Sequence, residues 1–327
     1  MFRIQGSGAV QPHGFVASEE IDRRIGRDAG WTESNFAIAT RAVACAAETS
    51  SSMGAEAACG ALAAAGWRAE DLDVIVGACG VMEQPIPGTA TLIQRRLGLG
   101  TSGVPAFDVN ATCLSFLVAL DLVSLGFAAG RWRKALVVSA DIASAALDFG
   151  DPEASVIFGD GAAAVAVEAD ESASAILGFR METYGEGAEL CRLEAGGTRL
   201  RPHDNLDAFL DSSRFRMDGP GVFMAAARRF PRFAARLLKS AGVRAADIDL
   251  VIPHQASAAA LEHLRRAFPT EGDRVVDIFT NHGNQIAASM PSALHHAIAS
   301  GRLARGDTAF LVGTAAGVSL AGAVIRY

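Results

Sequence analysis

The chain is predicted to have an α/β fold built from two similar halves. Short aliphatic runs alternate along it with longer stretches of helical periodicity, the pattern of βα units. The stretch AGWRAEDLDVIV at 65–76 returns as AGVRAADIDLVI at 241–252. With Gly66 set on Gly242 (242 − 66 = 176), Arg68 falls on Arg244, Asp71 on Asp247 and Asp73 on Asp249. One unit of about half the chain has therefore been used twice. Half of the 327 residues are hydrophobic, enough for a sizeable core.

The elements follow in order. Met53 to Ala65 is apolar at helical spacing and stops at Gly66, a residue that caps helices by entering the left-handed region. Val74 to Gly77 is a buried strand, and Thr89 to Arg96 begins another helix. VPAFDV is a strand, Leu114 to Ala128 a helix closed by AAGRW, and KALVVSA a strand. In the second half, Val222 to Ser240 is a helix closed by Gly242 and DLVIP a strand. Ala258 to Ala267 is a helix, VVDIF a strand, and a helix running to Ser300 ends at GRLARGD. The halves are expected to span 1–172 and 173–327.

Composition excludes several classes. A net charge of −7 with scattered Lys and Arg argues against nucleic acid or an anionic membrane as partner. The N-terminal MFRIQGSGAVQPHG has no apolar signal-like core, and no run approaches the ~18 residues of a membrane span, so a cytoplasmic protein is expected. Five cysteines, at 45, 59, 79, 113 and 191, show no metal-ligand spacing, so neither a metal site nor disulfides are expected.

The halves differ where chemistry would sit, at the carboxyl ends of strands. Ala78 in the first copy is matched by His254 in the second. Cys113 and Asn284 each lie 17 residues before the Gly-Arg that closes the following helix (130 − 113 = 17; 301 − 284 = 17), which predicts that they are equivalent positions. The helix after Cys113 is apolar almost all round and hence buried. A helix N-terminus there is expected to lower the thiol's pKa and make Cys113 a nucleophile. Taken singly, a Cys, a His after a strand and an Asn before a helix are commonplace packing or capping groups. Their joint placement at strand ends points to a site.

FDVNATCLSF, VIPHQAS, NHGNQIAASMP, FGDGAAAV and the terminal GTAAGVSLAGAVIRY together resemble the ketoacyl-acyl-carrier-protein synthase III family of the thiolase superfamily. The resemblance implies a five-layered αβαβα thiolase-like fold of two similar halves, usually a homodimer, with no cofactor beyond acyl-CoA or acyl carrier protein as substrate. It implies that Cys113 accepts the acyl group, and that His254 and Asn284 stabilise the enolate formed when a malonyl carrier protein is decarboxylated. The backbone N–H groups of Cys113 and of the TAAG turn, at Ala316, would form the oxyanion hole for acylation. FGDGAAAV is a structural turn in this family, so Asp160 is given no catalytic role. Ile86, in the loop MEQPIPG, would line the partner's acyl pocket. Trp31 matches a coenzyme A contact, and Ser257, Arg265 and Arg266 lie where substrate and carrier protein are met.

The sequence departs from the family at several points. The arginines that accompany the Trp fall on Pro152 and Asn35; Ser257 stands where Asn is usual; Ala259 stands where a basic docking residue is usual; and TAAG replaces three glycines. These changes leave the acyl donor open, between coenzyme A and a carrier protein, and between fatty-acid initiation and a specialised pathway. Two rivals remain. An acyltransferase would pass the acyl group to an alcohol or amine without decarboxylation, and a non-catalytic partner subunit would need no cysteine.

Overall fold

The computed structural model describes residues 2–170, 175–268 and 273–327. Two sheets carry the architecture. The first has the strand order Phe2–Val10, Gly161–Ala169, Lys134–Asp141, Val74–Gly77, Ala106–Asp108; the second has Leu250–Pro253, Thr308–Ala315, Gly317–Arg326, Ala175–Gly187. Helices Ser115–Ala128 and Ser289–Ala299 touch both sheets and fill the layer between them. Ser50–Ala65 covers the outer face of the first sheet and Gly219–Ala241 that of the second. The result is the five-layered αβαβα arrangement.

Sequence parity explains the layering, because successive side chains of a strand point to opposite faces. Val74, Val76, Leu250 and Ile252 join the central core, whereas Ile75 and Val251 join the two outer cores. Both faces of these strands are covered, so they read as unbroken aliphatic runs. The duplication is visible in hydrogen bonds. Asp73 N–H donates to Lys134 C=O and Asp249 N–H to Thr308 C=O, each at 2.9 Å. Gly66 and Gly242 both end their helices in the left-handed region, at φ 68° and 67°.

Two expectations need correction. VVDIF is not a strand: Val275 makes a single bridge to Val251, after which the Gln255 side chain takes over. Its Nε2 donates to Val276 C=O (3.1 Å) and its Oε1 accepts from Ile278 N–H (2.9 Å), so a buried carboxamide replaces the ladder that Ala106–Asp108 makes in the first half. The second correction concerns register. Asn110 Oδ1 accepts from Thr112 N–H (2.9 Å), and Asn284 Oδ1 accepts from Ile286 N–H (2.9 Å). Ala111 N–H donates to Ser115 Oγ (2.9 Å), and Gln285 N–H to Ser289 Oγ (2.8 Å). Thr112 and Ile286 both have positive φ, at 51° and 52°. Asn284 is therefore the counterpart of Asn110 (284 − 110 = 174), and Cys113 that of Ala287. Counting back from the helix ends misplaced the pair because the first helix has 14 residues and the second 11.

Candidate active site

The cysteine is placed by a sharp turn. Asn110 and Ser115 together hold the segment between them, and Thr112 adopts positive φ, a conformation a β-branched residue accepts only under constraint. The helix begins at Ser115 rather than Leu114, so Cys113 lies just before the first turn. Neither its backbone N–H nor that of Ala316 donates to another described backbone group, so both are available.

Burial pushes the Cys113 thiol well above its ordinary range, and the neighbouring Cys191 and Asp141 add to the shift; the residue's own N–H opposes it weakly. This overturns the expectation of a lowered pKa. A helix N-terminus supplies at most about 2 kcal/mol, roughly 1.5 pKa units, whereas desolvation of a buried group reaches about 3–5 units. The resting nucleophile is therefore the thiol.

His254 follows the strand Leu250–Pro253, and its N–H donates to Val312 C=O (2.9 Å), as Ala78 N–H does to Val138 C=O (2.7 Å) in the first half. The imidazole is buried, and desolvation holds its pKa down to about 4, so it is neutral at neutral pH. Its Nδ1 has no hydrogen-bond partner among the described residues. Asn284 is buried too, its oxygen anchored on Ile286 N–H and its Nδ2 making only a long contact with Ala256 C=O (3.5 Å). The amide end of Asn284 thus faces the turn that follows His254, with donor capacity to spare.

Two glycines bring these pieces together. A Cβ on Gly313 would lie 2.8 Å from His254 Cβ and 3.1 Å from Leu114 Cδ2, so the histidine and the cysteine's neighbour close on one point. A Cβ on Gly80 would lie 2.4 Å from Ile286 Cγ2 and 3.3 Å from the Thr112 carbonyl, which joins the Asn284 and Cys113 turns. In the TAAG turn only Gly317 has positive φ (133°), so the two alanines sit where glycine's freedom is not needed.

Asp141 was missed by sequence reasoning. Its buried carboxylate accepts from Gly80 N–H (2.8 Å), Val81 N–H (2.7 Å) and Ala288 N–H (3.1 Å), joining the loop of the first half to the Asn284 segment of the second. Burial pushes its pKa up to about 7. An Asp closing an aliphatic strand was the only signal available.

The remaining candidates lie apart. Ile86 is 86% exposed on its loop. Trp31 is half-buried against Phe36 (5.5 Å between centroids), with the Arg27 guanidinium 5.0 Å from its ring, and Asn35 Nδ2 donates to Trp31 C=O (2.7 Å). Ser257 Oγ accepts from Ala260 N–H (3.2 Å) and so caps the helix Ala258–Ala267. On that helix Arg265 pairs with Asp277 (2.8 Å) and Asp273 (3.3 Å), and Arg266 with Glu262 (3.0 Å), so neither charge is as free as the sequence suggested. Asp160 accepts from Ala44 N–H and Ser144, tying loops together. Among the described residues, no group of three or more His, Cys, Asp or Glu could hold a metal ion, and no helix is long and apolar enough to cross a membrane.

Residues 107–185 match the family described as 3-oxoacyl-[acyl-carrier-protein] synthase III, and residues 238–327 match the C-terminal part of that family. A beta-ketoacyl-[acyl-carrier-protein] synthase III of Neisseria meningitidis is 32% identical over 99% of both chains, and one of Rhodospirillum centenum is 34% identical over 99% of this chain and 98% of its own. The crystal structure of the Aquifex aeolicus 3-oxoacyl-[acyl-carrier-protein] synthase III superposes with a TM-score of 0.90 over the full length of both chains at 32% identity. The priming beta-ketosynthase of the R1128 polyketide pathway gives 0.88 at 26% identity, covering 99% of this chain and 96% of its own. With this fold, these turns and full-length similarity on both counts, the chain belongs to the 3-oxoacyl-[acyl-carrier-protein] synthase III family, thiolase-fold condensing enzymes of the acyltransferase class.

Proposed function

We propose that Cys113 takes an acyl group from an acyl thioester and that His254 and Asn284 then support its decarboxylative condensation with a malonyl carrier protein. The observation that carries this reading is the pair of donors. A neutral buried imidazole, whose Nδ1 has no partner among the described residues, precedes the turn that Asn284 Nδ2 reaches by a long contact with Ala256 C=O (3.5 Å), the asparagine's oxygen being anchored on Ile286 N–H.

In the first step the Cys113 sulfur attacks the thioester carbonyl. Its proton leaves with the departing thiol, so no lasting thiolate has to exist in the buried site. The N–H groups of Cys113 and Ala316 receive the carbonyl oxygen as it gains charge. In the second step the malonyl carboxylate leaves as carbon dioxide, and its electron pair becomes the enolate, whose oxygen accepts from the His254 imidazole N–H and Asn284 Nδ2. The enolate carbon attacks the acyl carbonyl, and the Cys113 sulfur departs and takes a proton from solvent water, the one proton this step consumes. Neutral donors suit this step: they stabilise the anion without first being required to ionise in a dry site.

Acyl-CoA and acyl carrier protein are both candidate donors. The Trp31–Arg27 pair supports a coenzyme A contact, since a purine ring can stack on an indole or a guanidinium plane. The proposed setting is the cytoplasm, with a second copy of this chain completing the acyl pocket.

The half-reactions separate in one experiment. Cys113→Ala is expected to form no acyl-enzyme by intact mass. His254→Ala and Asn284→Ala are expected to form it and to release labelled carbon dioxide from malonyl carrier protein about 10²-fold or more slowly. Transfer of the acyl group to an alcohol or amine by the unaltered protein, with no carbon dioxide released, would replace this reading with the acyltransferase one.

A further inference from the structure

We propose that the cleft between the end of the strand Phe2–Val10 and the helix Ser289–Ala299 binds a nucleobase, held at its edge by Gln11 and Gln285 and stacked on imidazole. The cleft has a volume of about 310 Å³, room for one small molecule. Its lining includes Gln285, the residue that follows Asn284.

Two carboxamides in this lining have hydrogen-bonding capacity to spare. Gln285 is 1% exposed, and its Nε2 donates to Asp160 C=O (3.0 Å). A carbonyl only accepts, so this bond fixes which end of the carboxamide is oxygen. That Oε1 is buried and has no hydrogen-bond partner among the described residues, and the same is true of Gln11 Nε2. The cleft therefore offers one unused acceptor and one unused donor. Buried polar atoms are costly to leave unpaired, so a pair of them in one cleft calls for an occupant. Gln285 is also held still: its N–H donates to Ser289 Oγ (2.8 Å), and a Cβ on Gly161 would collide with its carboxamide.

The other lining groups select the chemistry. No Lys, Arg, Asp or Glu is among them, so an ion would enter without a counter-charge. His282, His295 and His296 supply imidazoles. Burial holds the pKa values of His282 and His295 below the usual range and His296 adds to both, which leaves these two rings neutral at neutral pH. His295 Nδ1 is 3.0 Å from Ser7 Oγ, and His282 Nδ1 has the Ile278 carbonyl nearby without a hydrogen bond of ordinary geometry. Among the described residues no three such groups are placed to hold a metal ion. The occupant that fits is uncharged and flat, accepts from Gln11 and donates to Gln285. A nucleobase edge sets a donor beside an acceptor, the pattern that glutamine carboxamides read, and its face stacks on histidine. A polyol could make the hydrogen bonds but has no π face to stack.

The test measures binding directly and does not depend on the proposed reaction. Adenosine and uridine are titrated by calorimetry into the unaltered protein and into Gln11→Leu, Ala299→Trp and Trp31→Ala, with circular dichroism confirming that each is folded and NMR following the histidine rings. Trp31→Ala is included because a base could instead stack at the proposed coenzyme A contact. At least one nucleoside is expected to bind the unaltered protein with a Kd below about 1 mM and to shift the His282 and His295 resonances. Gln11→Leu should weaken that binding about tenfold, the scale of leaving one bound polar group unpaired. Ala299→Trp, which fills the cleft from an exposed position, should abolish it, and Trp31→Ala should leave it unchanged. The proposal is overturned by no binding of either nucleoside, by binding that Gln11→Leu or Ala299→Trp leaves intact, by loss in Trp31→Ala, or by glucose producing the same histidine shifts.

Discussion

Cys113 is half-buried, and desolvation together with Cys191 and Asp141 outweighs its own N–H in opposing ionisation, which has a measurable consequence. Without substrate, its alkylation by iodoacetamide should accelerate only above pH 9 and at neutral pH should be slower than that of exposed Cys45. Rapid alkylation of Cys113 governed by a pKa below about 7 would show that the helix terminus outweighs burial after all. His254 gives a second pH effect. Its folded pKa lies near 4 against 6.5 for the free side chain, so as pH falls from 6.5 to 4 the unfolded chain takes up a proton that the folded chain refuses. The stability linked to this group is complete above 6.5 and declines by about 3 kcal/mol toward pH 4. Urea unfolding of His254→Gln should therefore depend less steeply on pH across that window than that of the unaltered protein, and identical slopes would contradict a neutral buried imidazole.

At the scale of elements, turns and loops carry the function while strands and helices hold them still. The loop 80–88 is clamped at both ends by carboxylates: Asp141 holds Gly80 and Val81, and Asp108 accepts from Thr89 and Ala90 N–H at 2.7 Å each. Asp141→Asn replaces one acceptor oxygen with a donor facing a backbone N–H, either on the loop or at Ala288. The variant should lose about 2 kcal/mol of stability in chemical denaturation, the scale of a hydrogen bond to a charged group, and condensation should suffer more than acylation because the Asn284 segment loses its tie. Gly313→Ala tests the other junction. Its Cβ would collide with His254 Cβ and Leu114, and a displacement near 1 Å at a reacting group costs about 10²-fold in rate. Carbon dioxide release should fall by that order; full activity would mean that the strand can shift to admit a methyl.

For the whole molecule, the open question is the second copy. Ile86 is 86% exposed and Met82 49% exposed on a loop whose two ends are fixed, an arrangement that leaves apolar surface in water unless another chain covers it. Sedimentation at micromolar concentration should give a dimer. Ile86→Trp should shorten the longest acyl chain accepted while short acyl donors still load Cys113. A fully active monomer with unchanged chain-length preference would refute a shared pocket.

The sequence alone determined the α/β alternation, the duplicated half and the blocks around Cys113, His254 and Asn284, because aliphatic runs, capping glycines and repeated Arg-Asp pairs are local patterns that need no partner to be seen. Tertiary structure decided the rest. It set the register of the two halves, since the matching turns at Asn110 and Asn284 are defined by side chains bonding to backbone. It removed the strand expected at VVDIF, where the Gln255 carboxamide reaches 21 residues along the chain to occupy the ladder. It paired Arg265 and Arg266 with carboxylates, and it raised the Cys113 pKa that a helix terminus had been expected to lower. Each of these depends on which groups meet after folding and how much water they exclude, and desolvation and long-range hydrogen bonding leave no trace in local periodicity.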